Sequence, residues 1–195
     1  AAAAYYLGAK EQQRADDIVT SGLIFSLLHG VILMAAALLF APAFVSLFTE
    51  NEKILADGVK YSNLVFIFAV PNVIAITFEK IFQAEGRMKV SMFSMLCGCV
   101  ANIILDPLLI FGIGIFPKMG IEGAAIATGI GQVIPLIVYL FIFIKHPVSL
   151  HFHWHKKVFQ KRLMGQMYGV GIPATLNLAL PSFMITALNG ILAVY

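Results

Sequence analysis

Charged residues are scarce in this sequence. Asp, Glu, Lys and Arg make up 12% of its 195 residues, whereas a soluble globular domain carries about 25%. Hydrophobic residues make up 60% of the chain, and the mean hydropathy is +0.90. This balance excludes an ordinary soluble domain and predicts an integral membrane protein. We expect a lipid bilayer around the chain and no nucleic-acid partner.

Cysteines are few, and common enzyme motifs are absent. The two cysteines, Cys97 and Cys99, share one apolar run, and residues two apart point to different faces of a helix. We therefore expect neither a disulfide between them nor a metal pair, and we interpret both as packing residues. The sequence has no HExxH, no GxSxG and no pair of acids in one span. We expect no enzyme, no catalytic residues, no metal and no cofactor.

Long apolar runs dominate the sequence instead. Five runs reach the ~20 residues that a bilayer-spanning helix needs, and they exceed the ~10-residue alternation of barrel strands. They cover about 18–48, 61–82, 87–116, 123–144 and 163 to the end. The sequence therefore predicts an all-α, polytopic helical bundle.

The basic residues divide unequally between the two ends of these spans. Ten of the thirteen Lys and Arg residues fall on the side that holds Lys10, Arg87 and Lys157. The other side holds Lys53, Lys60 and Lys118. Because cytoplasmic loops carry the excess of basic residues, we predict that the first side is cytoplasmic.

A single acid lies in the third run. Asp106 is the only formally charged residue within residues 91–117, and an acid deep in hydrocarbon costs roughly 2.5–3.5 kcal/mol. Asn102 lies four residues earlier on the same helical face, and Pro107 frees the carbonyl of Ile103. These oxygens suit a hard cation or a proton. The alternative is a helix–helix contact held by a polar pair.

The face that carries Asn102 continues toward the start of the run. Ser91, Met95 and Gly98 extend it at helical spacing. Gly98 has no side chain, so a neighbouring helix can approach closely there.

Residues 145–162 form the longest basic connection. They hold the only Trp, four of the five His and five basic residues, and we predict a cytoplasmic joint between two membrane lobes. His151, His153 and His155 alternate, which allows a metal site. The alternative that we favour is a solvated interfacial loop whose basic residues contact anionic lipid headgroups.

Five motifs occur in order along the chain: YLGAK with RA at 6–10 and 14–15, QAEGR at 83–87, NIILDP at 102–107, GAAIAT at 123–128 and GIP at 171–173. In these motifs the sequence resembles the multidrug and toxic compound extrusion (MATE) family. The resemblance implies a twelve-helix fold of two six-helix lobes. This chain is then a partial transporter, cut at both ends. We divide it into an N-terminal lobe (1–144), the inter-lobe loop (145–162) and the first helix of the C-terminal lobe (163–195).

The resemblance also implies a function. The family exports drugs and other organic cations in exchange for Na⁺ or H⁺, from the cell membrane. Asn102 and Asp106 match its fifth-helix coupling residues, and Thr128 matches a sixth-helix threonine of the same network. The family's first-helix acid has no counterpart here, so we expect that this chain alone does not transport and needs the remainder of the same transporter chain.

Three further features are candidates. Glu79 is either an acid facing the cavity or an interfacial carboxylate near Lys80. Met92, Phe93 and Met95 are candidate contacts for flat cationic substrates, although packing or lipid contact explains them equally well. We interpret His29 as a hydrogen-bonded core histidine.

Two other functions were considered. A lipid-linked precursor flippase of related fold should have a more basic cavity, and these spans contain hardly any Lys or Arg. In a non-catalytic membrane scaffold, Asp106 would have no function. We therefore predict a multi-pass efflux antiporter of a bacterial plasma membrane.

Overall fold

The computed structural model describes residues 2–152 and 161–192, with the side chains of 161–162 and 189–192 left out. Seven helices and no strands occur in these described residues. The helices are α1 (Ala2–Gly8), α2 (Gln12–Val45), α3 (Glu52–Ile67), α4 (Ala69–Ala84), α5 (Met88–Phe111), α6 (Ile121–Lys145) and α7 (Lys161–Leu192). The predicted all-α membrane fold is confirmed.

Four of these helices, α2, α5, α6 and α7, are long and apolar enough to cross a membrane. Helices α3 and α4 are together apolar enough for a fifth span when they are counted as one, with a bend of 44° between them. The five predicted spans are therefore present. Their bounds differ most at the start of α3, which is Glu52 rather than Tyr61. Helix α2 begins at Gln12 rather than Ile18, so the polar stretch 8–17, for which composition predicts a loop, is mostly helical.

The bend between α3 and α4 lies at Phe68. Pro71, in the first turn of α4, has no N–H, so the carbonyl three to four residues earlier cannot be paired as in a continuous helix. The Phe68 ring packs against α6, where a Cβ at Gly129 would lie 2.1 Å from the ring. At the start of α3, the Asn51 side chain caps the helix by accepting from the N–H groups of Lys53 and Ile54. The α3–α4 segment is thus capped at its start by Asn51. It bends at Phe68, whose ring occupies the space beside Gly129, where a side chain is missing.

Helices α5 and α6 pack closely through glycines in the middle and at one end of their contact. A Cβ at Gly98 would lie 2.5 Å from the carbonyl oxygen of Gly131, and one at Gly123 would lie 2.6 Å from the carbonyl oxygen of Leu109. Small residues let helix backbones approach in a membrane, where apolar burial alone does not drive association. The predicted close approach at Gly98 is confirmed.

The largest buried cluster lies at the end of the bundle that we predict to be cytoplasmic. It contains residues of α1, α2, α4 and α6, among them Tyr6, Ile18, Phe82 and Tyr139. Phe82 and Tyr139 stack with their ring centroids 5.7 Å apart.

The cluster is completed by residues 146–152, which we call the strap. Val148 and Leu150 are buried, Leu150 to 1% exposure, and the Phe152 ring packs on Phe78 and Phe143. The expectation of a solvated loop therefore holds for the exposed residues of this segment and is wrong for Val148 and Leu150. Its basic and histidine-rich composition is typical of a solvent-exposed segment, but its apolar residues fill the end of the bundle. His153 and His155 lie outside the described residues.

Hydrogen bonds attach the strap on both sides. Glu85 accepts from the backbone N–H and, at 2.6 Å, from the hydroxyl of Ser149. Arg87 donates to the carbonyl oxygen of His146 at 2.9 Å, and Gln12 donates to that of Ser149 at 2.7 Å. The strap is thus tied to the start of α2 and to the turn between α4 and α5. At the opposite end of the bundle, Lys60 of α3 pairs with Glu122 of α6 at 3.1 Å.

Candidate ion and substrate site

A cavity of about 360 Å³ lies between α4, α5 and α6. Each helix contributes one stripe of residues at helical spacing. The stripes are Asn72, Ala75, Ile76 and Glu79 from α4; Met95, Gly98, Cys99 and Asn102 from α5; and Thr128, Gly131, Gln132, Pro135 and Tyr139 from α6. The close packing of α5 on α6 through Gly98 and Gly131 brings the last two stripes together.

Four of the residues predicted from the sequence line this cavity: Glu79, Met95, Asn102 and Thr128. They come from three successive helices. A carboxylate, a side-chain amide, a hydroxyl and a thioether therefore face one space. Such a mostly apolar cavity with a few converging polar groups is typical of a small-molecule site.

Asp106 lies one helical turn beyond Asn102 on the same stripe of α5, but it does not line the cavity. Its Oδ1 atom is buried and has no hydrogen-bond partner in the described part of the chain. A buried acceptor without a partner is costly, and more so in a membrane, where no bulk water replaces the missing donor. The unpaired oxygen is an acceptor that a cation or a proton would satisfy.

The hydroxyl of Thr128 is free, unlike those of other helical threonines in the structure. The hydroxyls of Thr20, Thr77, Thr175 and Thr186 each donate to the carbonyl oxygen four residues earlier, all at 2.9 Å. Within the described residues Thr128 has no such bond. Its oxygen therefore remains available to a ligand in the cavity.

Glu79 combines the two roles that the sequence allowed. Its carboxylate lines the cavity, and its side chain is only 15% exposed. Lys80 Nζ lies 2.9 Å from one carboxylate oxygen, and Gln83 donates to the same oxygen at 2.7 Å. Glu79 is thus a cavity acid whose charge is already paired.

The other two candidate substrate contacts lie elsewhere. Met92 is 63% exposed and Phe93 57% exposed, and neither lines this cavity. Phe93 is not at helical spacing from Met95 or Asn102 and points away from their stripe. Met92 lies one turn before Met95 but is exposed outside the cavity. Cys99 lines the cavity, and both cysteines are free thiols.

Sequence reasoning missed Asn72, Gln132 and Tyr139. Asn72 and Gln132 are uncharged, so they did not stand out as Asp106 did, although Gln132 lies four residues after Thr128 and shares its face. Tyr139 closes the cavity at the predicted cytoplasmic end, where it stacks on Phe82 and its hydroxyl donates to the carbonyl oxygen of Ser91 at 3.3 Å. That role depends on packing between distant segments.

His29 is hydrogen-bonded, as predicted, but it is not in the core. Its Nδ1 donates to the carbonyl oxygen of Phe25 at 2.6 Å, and its Nε2 lies 3.2 Å from the hydroxyl of Tyr168. The ring lines a second cavity of about 590 Å³ between α2 and α7. The expectation of burial is wrong because the side chain faces the gap between these two helices.

The fold and the cavity define a polytopic α-helical membrane protein with a polar site inside its bundle. A family model described as MatE matches residues 1–108, more than half of the chain, and the chain belongs to this family. The resemblance seen in the sequence motifs is confirmed.

Known relatives extend the match over nearly the whole chain. The chain is 29% identical to the multidrug export protein MepA of Staphylococcus aureus (strain bovine RF122 / ET3-1) over 191 residues, 97% of this chain and 41% of MepA. It is 28% identical over 180 residues to the probable multidrug resistance protein YoeA of Bacillus subtilis (strain 168), covering 90% of this chain and 38% of YoeA. The chain therefore spans about two fifths of the length of these relatives.

A solved structure shows the same fold. The crystal structure of a MATE protein in complex with MaD3S superposes with a TM-score of 0.86 at 25% identity, over 97% of this chain and 42% of that one. The arrangement of α1 to α7 is thus that of part of a MATE transporter.

Proposed function

We propose that this chain forms part of a secondary active efflux transporter that exports small organic, mainly cationic, compounds in exchange for Na⁺ or H⁺. The observation that carries the proposal is the buried, unpaired Oδ1 of Asp106, one turn from Asn102 in the wall of the cavity. The names of the bacterial relatives, a multidrug export protein and a probable multidrug resistance protein, are consistent with it.

In this proposal the coupling ion binds at Asp106, Asn102 and Thr128. The carboxylate supplies the charge, and the amide and hydroxyl supply neutral oxygens, the ligand types that hard cations prefer. A proton would instead neutralise Asp106 directly. Either ion would change the balance of charge between α5 and α6, and only such a difference in affinity between two states can move a transporter between them.

The composition of the cavity favours an exporter of organic compounds over a flippase for lipid-linked precursors. A precursor headgroup that carries phosphates would need cationic partners, yet no Lys or Arg in the described part of the chain lines the cavity. Its walls are mainly apolar, and its one acid is paired with Lys80. This lining suits flat hydrophobic molecules.

The substitution Asp106→Asn in the intact transporter tests the proposal. It removes the charge and keeps the volume, so we expect loss of ion-coupled export with normal insertion into the membrane. Glu122→Gln is the matched control, because Glu122 forms only an exposed ion pair with Lys60, and such pairs contribute little. Drug resistance in cells that carry Asp106→Asn, at the level of the control, would contradict the coupling role.

A further inference from the structure

The cavity between α4, α5 and α6 receives one amide side chain from each helix. These are Asn72, Asn102 and Gln132. Within the described residues, none of the three side chains forms a hydrogen bond. Each amide offers two N–H donors and one acceptor oxygen, so the three together present an unused hydrogen-bonding surface to the cavity.

Other amide side chains of the bundle are used to hold the fold. Gln12, Gln83 and Gln166 each bond to another side chain, and Asn51 caps α3. The cavity amides differ from these four in that no hydrogen bond within the described residues satisfies them. The buried Oδ1 of Asn63 is also unpaired, but Asn63 does not line the cavity. Polar groups inside a membrane are expensive unless they meet a partner. Amide side chains that face a cavity and have no hydrogen-bond partner are suited to bind a molecule in that cavity.

The charge of Glu79 is already paired, so it does not select the molecule that binds in the cavity. Among the described residues, Glu79 is the only acid that lines the cavity, and its carboxylate is already bonded to Lys80 and Gln83. Apolar walls accept any hydrophobic molecule of suitable size, whereas a few placed polar groups set orientation and specificity. We therefore attribute discrimination among substrates to the amide side chains.

We infer that Gln132 determines substrate specificity, by recognising the neutral N–H and C=O groups of planar aromatic compounds. Gln132 lies on the cavity face of α6, one turn from the free hydroxyl of Thr128. The packing of α5 on α6 is made by Gly98 and Gly131, so it does not depend on the Gln132 side chain. This inference rests on the proposed transport function and names the chemistry that the cavity selects.

Two cationic dyes of similar shape separate hydrogen bonding from charge. Proflavine carries exocyclic N–H donors on a planar acridine ring, and acridine orange replaces all of them with N-methyl groups. Fluorescence titration of the purified intact transporter in detergent gives the affinity for each dye. For Gln132→Met, which keeps length and removes the amide, we expect proflavine affinity to fall about 3- to 10-fold, as the loss of one neutral hydrogen bond implies. Acridine orange affinity should change less than about twofold.

Controls keep the outcome interpretable. Gln13→Met makes the same change at an exposed position and should leave both affinities unchanged. Thermal unfolding establishes that the Gln132→Met variant is folded, and Gln132→Leu repeats the test if it is not. Equal losses for both dyes, or no loss for either, would overturn the role of Gln132 and leave the proposed function intact. Failure of the unsubstituted transporter to bind either dye would count against both.

Discussion

The carboxylate of Asp16 accepts a hydrogen bond from the backbone N–H of His151 at 2.9 Å, across 135 residues of chain. The same oxygen accepts from Gln12 Nε2 at 2.9 Å, and Asp16 is only 4% exposed. A charged acceptor buried at the start of α2 therefore holds the strap in place. The strap in turn seals the end of the bundle below the Phe82–Tyr139 stack that closes the cavity.

The first prediction concerns this attachment. Asp16→Ala removes the buried acceptor of the hydrogen bonds from the His151 N–H and Gln12, so we expect the protein to lose about 1–3 kcal/mol of stability. Thermal unfolding in detergent measures the loss, and limited proteolysis should cut residues 146–152 faster. Asp17→Ala is the control, because the adjacent carboxylate forms no hydrogen bond in the described structure. Equal stability of the two variants would mean that Asp16 does not anchor the strap.

The second prediction concerns the glycines between α5 and α6. Gly98→Ala places a Cβ 2.5 Å from the backbone oxygen of Gly131, which cannot move without shifting α6. We expect this substitution to destabilise the protein and to lower its expression in the membrane. Gly165→Ala in α7 meets nothing within 4 Å, so it should be neutral or stabilising by about 0.5–1 kcal/mol, as Ala is preferred to Gly in a helix. Comparable unfolding temperatures for the two variants would argue against close packing at Gly98.

Several features of the site could be predicted from the sequence because they are local. An acid in an apolar run is rare, so Asp106 stands out, and helical spacing then places Asn102 on its face. The free hydroxyl of Thr128 and the paired state of Glu79 could not be predicted, because they depend on which neighbours the fold supplies. Gln132 and Asn72 were missed because a single uncharged amide in a span is common and becomes notable only when several meet in one cavity.

The fold also combines features that local sequence predicts with features that depend on distant contacts. Length and hydropathy predict the five spans, since each apolar run must cross the bilayer. The bend at Phe68 and the burial of Leu150 were not predictable, because both depend on contacts with distant helices: Gly129 for the ring, and the ends of α2 and α4 for the strap. Composition alone suggested solvent for residues 145–162, and only tertiary packing shows that Val148 and Leu150 are buried.

The third prediction concerns orientation. The basic residues separate to the two ends of the bundle, and the excess lies at the end that holds the strap. In a background with Cys97 and Cys99 replaced by Ala, single cysteines at positions 10, 87 and 157 should resist a membrane-impermeant maleimide in intact cells. Cysteines at positions 53 and 118 should react. The reverse pattern, with position 157 labelled and position 53 protected, would invert the assigned topology.

The last prediction links the coupling site to pH. A protonated Asp106 carries no charge to attract a cation, so protons and Na⁺ should compete for one site. We expect Na⁺ affinity, measured by isothermal titration of the intact transporter, to fall as the pH is lowered over the range in which the protein stays folded. Asn102→Ala and Thr128→Ala each remove one neutral oxygen ligand, and should weaken Na⁺ binding while the dependence on pH remains, because the carboxylate is unchanged. Asp106→Asn should abolish both the binding and its pH dependence, whereas the control Glu122→Gln should alter neither. Na⁺ affinity that stays constant across this pH range, with the Asn102 and Thr128 variants binding as tightly as the unsubstituted protein, would place the coupling ion elsewhere.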